Sequence, residues 1–334
     1  MAQTTDVGGI PAIVTLTLNP CIDASAGVDR VVPERKLRCG APRFEPGGGG
    51  INVARAVHRL GGEALAIYPS GGPAGLLLES LLHGEGVSNR PLPIAGWTRE
   101  NLNVLEESTG HQYRFVLPGP ILSLVDASAF YAMVASLTPF PQYLVASGSL
   151  PPGLPHDFYS RLAVLAHARN CRFLLDTSGD AGRAALEVGG VYLMKPSLRE
   201  FRELTGIADG DEDRLVAEAL RLVAERRCEV FVLSLGPAGV LCVTAGEVWR
   251  VASPAVPVRS SVGAGDALLA GVVVRLQQGR SLVDAVRFGV AAAAATVMNP
   301  GTELCRREDA ERLDEKMGAI ERVGRMETVA QIAV

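Results

Sequence analysis

The stretch Ser260-Ser261-Val262-Gly263-Ala264-Gly265-Asp266 runs directly into the apolar segment Ala267 to Val274. Two glycines let a backbone turn tightly onto a helix start, where unpaired amides and the helix dipole attract negative charge. The amides of Gly263, Ala264 and Gly265 so arranged make an anion hole. A carboxylate in the same turn repels phosphate, so the useful task for Asp266 is to take a proton from an attacking hydroxyl. Aspartate is also a favoured helix cap. The motif alone leaves both readings open.

Three further clusters could act with it. In Pro46-Gly47-Gly48-Gly49-Gly50-Ile51-Asn52-Val53-Ala54-Arg55 the glycines leave amides open to a polyhydroxylated or phosphorylated ligand, at a cost in chain entropy. A flexible connector is the competing reading, and Asn52 and Arg55, polar in the first helical turn, argue against it. A dinucleotide loop fits poorly, because such a loop directly follows a strand and Arg43-Phe44-Glu45-Pro46 makes an unpromising one. In Met194-Lys195-Pro196-Ser197-Leu198-Arg199-Glu200, Lys195 could meet phosphate oxygens and Glu200 a metal-bound water, although taken alone both read first as ordinary surface charges. Arg99, in Trp97-Thr98-Arg99-Glu100-Asn101, and Arg114 could each grip a phosphate bidentately, or sit on a rim.

The elements that must hold these residues read as α/β. Apolar, β-branched runs at Ala12 to Leu18, Tyr143 to Ser147, Arg172 to Asp176, Val191 to Met194 and Val230 to Leu235 alternate with helical stretches. The helices are expected at Ile51 to Leu60, Phe158 to Ala168, Asp211 to Arg226 and Asp266 to Gln277. That rhythm predicts parallel strands joined by crossover helices. Two regions break it, Ala24 to Phe44 and Asn101 to Pro118, both β-like. Ligands in open α/β folds bind beyond the carboxyl ends of the strands, so a small sheet inserted there would form a lid. A hairpin is expected from Val240 to Val243 and Val248 to Val251.

The composition narrows the function classes. With 334 residues, 48% hydrophobic and 20% charged, the chain suits one large α/β domain with an appendage. A formal net charge of -4 argues against a protein that coats nucleic acid. No apolar run approaches the roughly 20 residues that span a bilayer, and Met1 to Gly9 lacks a secretion pattern, so the chain reads as cytoplasmic. Six scattered cysteines without a CxxC pair suit reduced thiols, and five histidines show no zinc spacing. No GxSxG elbow is present.

A base at a helix start, an anion hole, a glycine run and a strand-end lysine and acid together specify phosphoryl transfer better than any one does. Through Thr15 to Pro20, Lys36 to Cys39, Phe44 to Arg55, Trp97 to Asn101, Tyr113 to Gly119, Ser147 to Gly153, Ser234 to Gly239, Val262 to Asp266 and Asn299 to Thr302, the chain resembles the phosphofructokinase B branch of the ribokinase-like carbohydrate kinases. The resemblance covers about Ile13 to Glu308. It implies a three-layer α/β/α sandwich with a mainly parallel sheet over residues 12–322, a β lid at about 24–44 and 98–118, a flexible extension at 1–11 and a tail at 323–334.

The resemblance also implies roles. Asp23, Gly48, Gly49, Asn52 and Ser149 match substrate contacts, Lys36 and Arg99 match residues near a 6-phosphate, and Arg38 matches one that reaches a neighbouring subunit's substrate. Lys195, Ser234, Gly236, Ser260, Ser261, Val262 and Asn299 match the nucleotide side, and Glu200 the magnesium-linked acid. Carbonyls around Ser260, Val262, Asn299 and Gly301 match a potassium site. One departure stands out: Ser197 occupies a position that usually carries Asn. On the lid, Val32 replaces an aromatic, which puts an inhibitory second ATP site in doubt. The implied activity is ATP-dependent phosphorylation of fructose 6-phosphate at C1 by a magnesium-dependent homodimer clasped through its lids. Tagatose-6-phosphate kinase, 1-phosphofructokinase and a catalytically silent sugar-phosphate or nucleotide sensor are the alternatives.

Overall fold

The computed structural model describes residues 9–207 and 212–325. Two sheets organise them. The larger is built from β1 (Ile13–Leu16), β4 (Ala64–Ser70), β5 (Asn89–Pro93), β8 (Tyr143–Ser147), β9 (Arg172–Asp176), β10 (Val191–Met194), β11 (Cys228–Ser234), β12 (Val240–Val243), β13 (Glu247–Val251) and β14 (Glu321–Arg325). The smaller is built from β2 (Cys21–Val28), β3 (Arg43–Gly47), β6 (Arg99–Glu106) and β7 (Gln112–Phe115).

The large sheet runs in the order β14-β13-β12-β11-β10-β9-β8-β1-β4-β5. From β11 to β5 every pairing is parallel, while β12, β13 and β14 join antiparallel at one edge. Parallel strands require crossovers, and helices supply them on both faces. One face carries α1 (Gly49–Arg59), α2 (Gly72–Gly84), α8 (Ala264–Gln277), α9 (Leu282–Val297) and α10 (Arg307–Lys316). The other carries α3 (Leu124–Ala135), α4 (Phe158–Ala168), α5 (Gly179–Val188), α6 (Leu198–Thr205) and α7 (Glu212–Ala224).

Side-chain alternation sends each strand into two cores. Val145 and Leu174 face the α8 side, whereas Leu144, Ala146, Phe173 and Leu175 face the α4 side. Buried on both faces, these strands read as continuous apolar runs, which is what made them visible in the sequence. Among the described residues no helix is long and apolar enough to cross a membrane.

β8, β9, β10 and α4 fall on their expected bounds, and β12 and β13 form the expected hairpin. Asp211, placed in a helix by its sequence, lies outside the described residues, as does most of the 323–334 tail; β14 crosses that boundary and pairs with β13. Three expectations change. The 24–44 region is not β throughout: β2 ends at Val28 and residues 29–42 form no strand. Arg43–Gly47 is a strand despite its proline, because it lies at the edge of the small sheet, where Pro46 pairs against Ile22 without needing an amide donor on its outer side. The glycine run is not an open loop. Gly47 closes β3, Gly48 (φ 110°) precedes the helix, and Gly49 and Gly50 are its first turn.

Candidate active site

The site gathers at the carboxyl ends of the central parallel strands. Ser147 ends β8, Asp176 ends β9, Lys195 follows β10, and the first turns of α1 and α8 lie beside them. The close approach has a steric basis. A Cβ on Gly50 would fall 2.2 Å from the Leu16 carbonyl oxygen, and one on Gly49 would fall 2.1 Å from Ser147 Oγ. These two glycines let α1 sit directly on β1 and β8.

Asp266 is the centre of the polar contacts. α8 begins at Ala264 with Gly263 (φ 77°) as its cap, and no side chain caps it. Asp266 is therefore in the first turn, and its oxygens are engaged elsewhere. Asn52 Nδ2 donates to Oδ2 at 2.9 Å, and Ser147 Oγ donates to Oδ1 at 3.2 Å. Burial, reinforced by the charge of Asp176, pushes its carboxyl up to about 6. Asn52, Lys195 and Ser147 act in the opposite direction.

Lys195 is buried and pairs with Asp176 Oδ2 at 3.1 Å. Burial is the largest influence on each. It pulls the lysine down, but the charge and hydrogen bond of Asp176, with Asp266 and Glu200, hold it above its ordinary value. It pushes the Asp176 carboxyl up, against the pull of Lys195. A Cβ on Gly265 would stand 3.0 Å from Lys195 Nζ, so the glycine clears room for the ammonium beside the first amides of α8. A cation and a set of unpaired helix-start amides thus share one small volume.

The other predicted residues fall into two groups. On the small-sheet side, Asn101 Nδ2 donates to Asp23 Oδ1 at 2.9 Å, and Arg99 donates to the carbonyls of Asn19 and Leu117 at 3.1 Å each. Asn19 Nδ2 reaches Ser149 Oγ at 3.2 Å. On the far side, Ser234 N–H donates to the Pro196 carbonyl at 3.0 Å, and Ser197 and Ser234 form a bridge that continues the sheet. Gly236 (φ 61°) opens a short turn after it. Ser260 is buried, with its N–H on the Val297 carbonyl at 3.3 Å, and Ser261 beside it is exposed. Asn299 spends both amide hydrogens on the carbonyls of Ala295 and Leu304. Val262, Gly301 and Thr302 line a cleft of about 230 Å³ whose opposite wall is the small sheet, through Asn103 and Arg114.

Lys36 and Arg38 stand apart. Both are exposed on the 29–42 segment, and among the described residues neither has a hydrogen bond or ion pair. Arg114 Nε donates to Asn103 Oδ1 at 3.3 Å.

Glu200 and Ser197 have a local role that their spacing already encodes. Ser197 accepts from the Glu200 N–H at 3.2 Å, and Glu200 Oε2 accepts from the Ser197 N–H at 2.8 Å and from its hydroxyl at 2.7 Å. This is a capping box, recognisable as Ser-x-x-Glu. Glu200 Oε1 remains for another partner. Among the described residues no three His, Cys, Asp or Glu side chains converge as a metal cage. A single carboxylate such as Glu200 is the kind of protein donor Mg²⁺ takes, since that ion keeps several waters and is held by one or two carboxylates plus substrate phosphates. Ser147 and Asp176 were missed as site residues. The signal was available, because each is the last residue of a parallel strand, where such folds bind ligands.

The profile of the pfkB family carbohydrate kinases matches residues 14–309. The chain is 46% identical over 307 residues to the ATP-dependent 6-phosphofructokinase isozyme 2 of Mycobacterium tuberculosis, covering 92% of this chain and 90% of that one. Phosphofructokinase-2 from Escherichia coli in complex with potassium superposes with a TM-score of 0.87 at 40% identity, over 91% of this chain and 98% of that one. The tetrameric inhibited form of the same Escherichia coli enzyme gives 0.85 at 39% identity, with the same coverages of 91% and 98%. The fold is therefore ribokinase-like, and this chain belongs to the pfkB family of carbohydrate kinases.

Proposed function

We propose that this kinase transfers the γ-phosphoryl group of MgATP to the C1 hydroxyl of fructose 6-phosphate, giving fructose 1,6-bisphosphate, with Asp266 as general base. The observation that carries the reading is the Asp266 carboxylate, fixed by Asn52 and Ser147 at the start of α8 with Lys195 against Gly265. The similarity at 46% identity to a 6-phosphofructokinase supports the choice of acceptor.

The sugar's C1 hydroxyl gives its proton to Asp266 as its oxygen attacks the γ-phosphorus. The bond from that phosphorus to the β,γ-bridging oxygen breaks, and ADP leaves with the electron pair. Negative charge spread over the transferring oxygens is met by the amides of Gly263 to Gly265 and by Lys195, already in place before reaction. Asp23, Gly48, Gly49, Asn52 and Ser149 hold sugar hydroxyls, and Arg99 meets the 6-phosphate. Lys36 and Arg38 reach it when the lid closes or from a second subunit.

Ser197, Ser234, Gly236, Ser260, Ser261, Val262 and Asn299 line the nucleotide side. Mg²⁺, held through water by Glu200, would neutralise phosphate charge. Carbonyls of Ser260, Val262, Asn299 and Gly301 offer oxygen donors for K⁺, and a potassium complex of the Escherichia coli neighbour supports that reading. Phe44, Leu102, Leu105 and Phe115 are exposed apolar side chains on the lid. They suit burial against a second lid, making a homodimer, and light scattering would distinguish it from the tetramer described for the neighbour.

A coupled ADP-release assay tests the acceptor with fructose 6-phosphate, tagatose 6-phosphate, fructose 1-phosphate, ribose and adenosine. Fructose 6-phosphate is expected to give the highest kcat/KM. Turnover of only an unphosphorylated sugar or nucleoside would overturn the reading, and ligand binding without ADP would mark a sensor.

A further inference from the structure

We infer that Arg55 is a positioning residue for this site: its buried guanidinium fixes the orientation of the Asn52 amide so that Nδ2 faces Asp266. The inference rests on Asp266 being the base.

Arg55 lies one turn after Asn52 in α1, and its side chain is fully buried. Its guanidinium is clamped from outside the helix. Nε and Nη2 donate to the two Glu85 oxygens at 2.7 and 2.6 Å, and Nη1 donates to the Pro46 carbonyl at 2.9 Å. Glu45 stands 4.0 Å away. Nη1 also donates to Asn52 Oδ1 at 3.4 Å. Glu85 is partly exposed, so a pair with it alone could have formed at the surface without the cost of burying a guanidinium. The inward position is what brings the group to Asn52.

The consequence is chemical. A guanidinium can only donate, and an ionised carboxylate can only accept. Between them Asn52 has one orientation that satisfies both ends, with Oδ1 toward Arg55 and Nδ2 toward Asp266. Rotating the amide by half a turn would present a carbonyl to Asp266, a partner suited only to the protonated acid. Arg55 disfavours that rotated amide and so keeps the carboxylate in its proton-accepting form. The other groups facing Asp266 are Ser147 from β8, Asp176 from β9 and Lys195 after β10, and Arg55 touches none of them.

The test compares kcat and kcat/KM across pH for the whole enzyme, for Arg55→Met and Arg55→Lys, and for Arg55→Met in an Asn52→Ala background, with melting temperatures alongside. Arg55→Met is expected to lower kcat roughly 10- to 100-fold at neutral pH, as loss of an orienting group does at other sites. The acid limb should move up by about half a pH unit or more. In the Asn52→Ala background the same change should leave the limb where it is. A folded Arg55→Met enzyme with an unmoved limb overturns the inference, as does an equal shift without Asn52. If Arg55→Met does not fold, Arg55→Lys decides. One ammonium brings three hydrogens to the four acceptor atoms that the guanidinium serves on Glu85, Pro46 and Asn52, so its hold on Asn52 Oδ1 weakens and the limb should again rise; an unmoved limb overturns the proposal. Near-normal turnover by Asp266→Asn would instead sink the base assignment itself, whatever Arg55 does.

Discussion

Asn52 and Asp266, 214 residues apart in sequence, are joined by a 2.9 Å hydrogen bond between the first turns of α1 and α8. The contact brings the early glycine run and the late Gly-Ala-Gly-Asp motif into one site, and it places a neutral donor on a carboxylate already held up by burial.

Asp266→Asn should therefore lower kcat by roughly 10² to 10⁴ while leaving ATP affinity near normal, the loss expected for a general base. Steady-state kinetics and calorimetric ATP titration check it. Turnover of the unmodified enzyme should fall below pH of about 6, as Asp266 takes up a proton. The stability effect has the opposite sense. With its folded value raised, Asp266 binds a proton more tightly in the native state, so its contribution is favourable at low pH and is lost as pH rises through about 6. Asp266→Asn should melt higher than the parent at pH of about 8, by roughly 1.5 °C for each kcal/mol relieved in a chain of 334 residues. The difference should disappear toward pH of about 4, near the ordinary aspartate value.

Lys195→Met removes one partner of a buried pair and leaves Asp176 unopposed, beside Asp266. A loss of about 3–5 kcal/mol is expected in denaturant unfolding. Adding Asp176→Leu should restore part of that stability but none of the activity. Full stability in the single variant would show that the pair is dispensable.

Gly49→Ala places a methyl 2.1 Å from Ser147 Oγ and 2.8 Å from the Ser147 carbonyl carbon. Because part of the obstacle is backbone, α1 must move off β8, at roughly 1–3 kcal/mol or more. Asn52 moves with it, so kcat should fall beyond the loss in stability. Gly246→Ala, with open space around it, is the comparison and should be nearly neutral.

Ser197→Ala breaks the capping box at α6 and should cost about 1 kcal/mol. Ser197→Asn keeps a capping side chain, so its melting temperature should stay close to that of the parent. Any change in the magnesium dependence of the Asn variant then reports on the nucleotide loop rather than on folding.

The sequence by itself determined the parallel strands, because residues buried on both sheet faces leave apolar runs such as Tyr143–Ser147 and Val191–Met194. It also marked the late motif as a glycine-rich helix start carrying a carboxylate, with a proton acceptor and a helix cap both open as its role. The strand Arg43–Gly47 was illegible, because an edge position excuses a proline that a central strand would reject. Whether Asp266 capped its helix or faced a partner was decided only in three dimensions. Gly263 took the cap, and Asn52 and Ser147 took the two oxygens. The same holds for Asp176 and Arg55. A carboxylate at a strand end and a guanidinium one turn into a helix are ordinary polar residues in one dimension. Folding buried them among partners distant in sequence, and in that low dielectric each became a specific contact rather than a solvated charge.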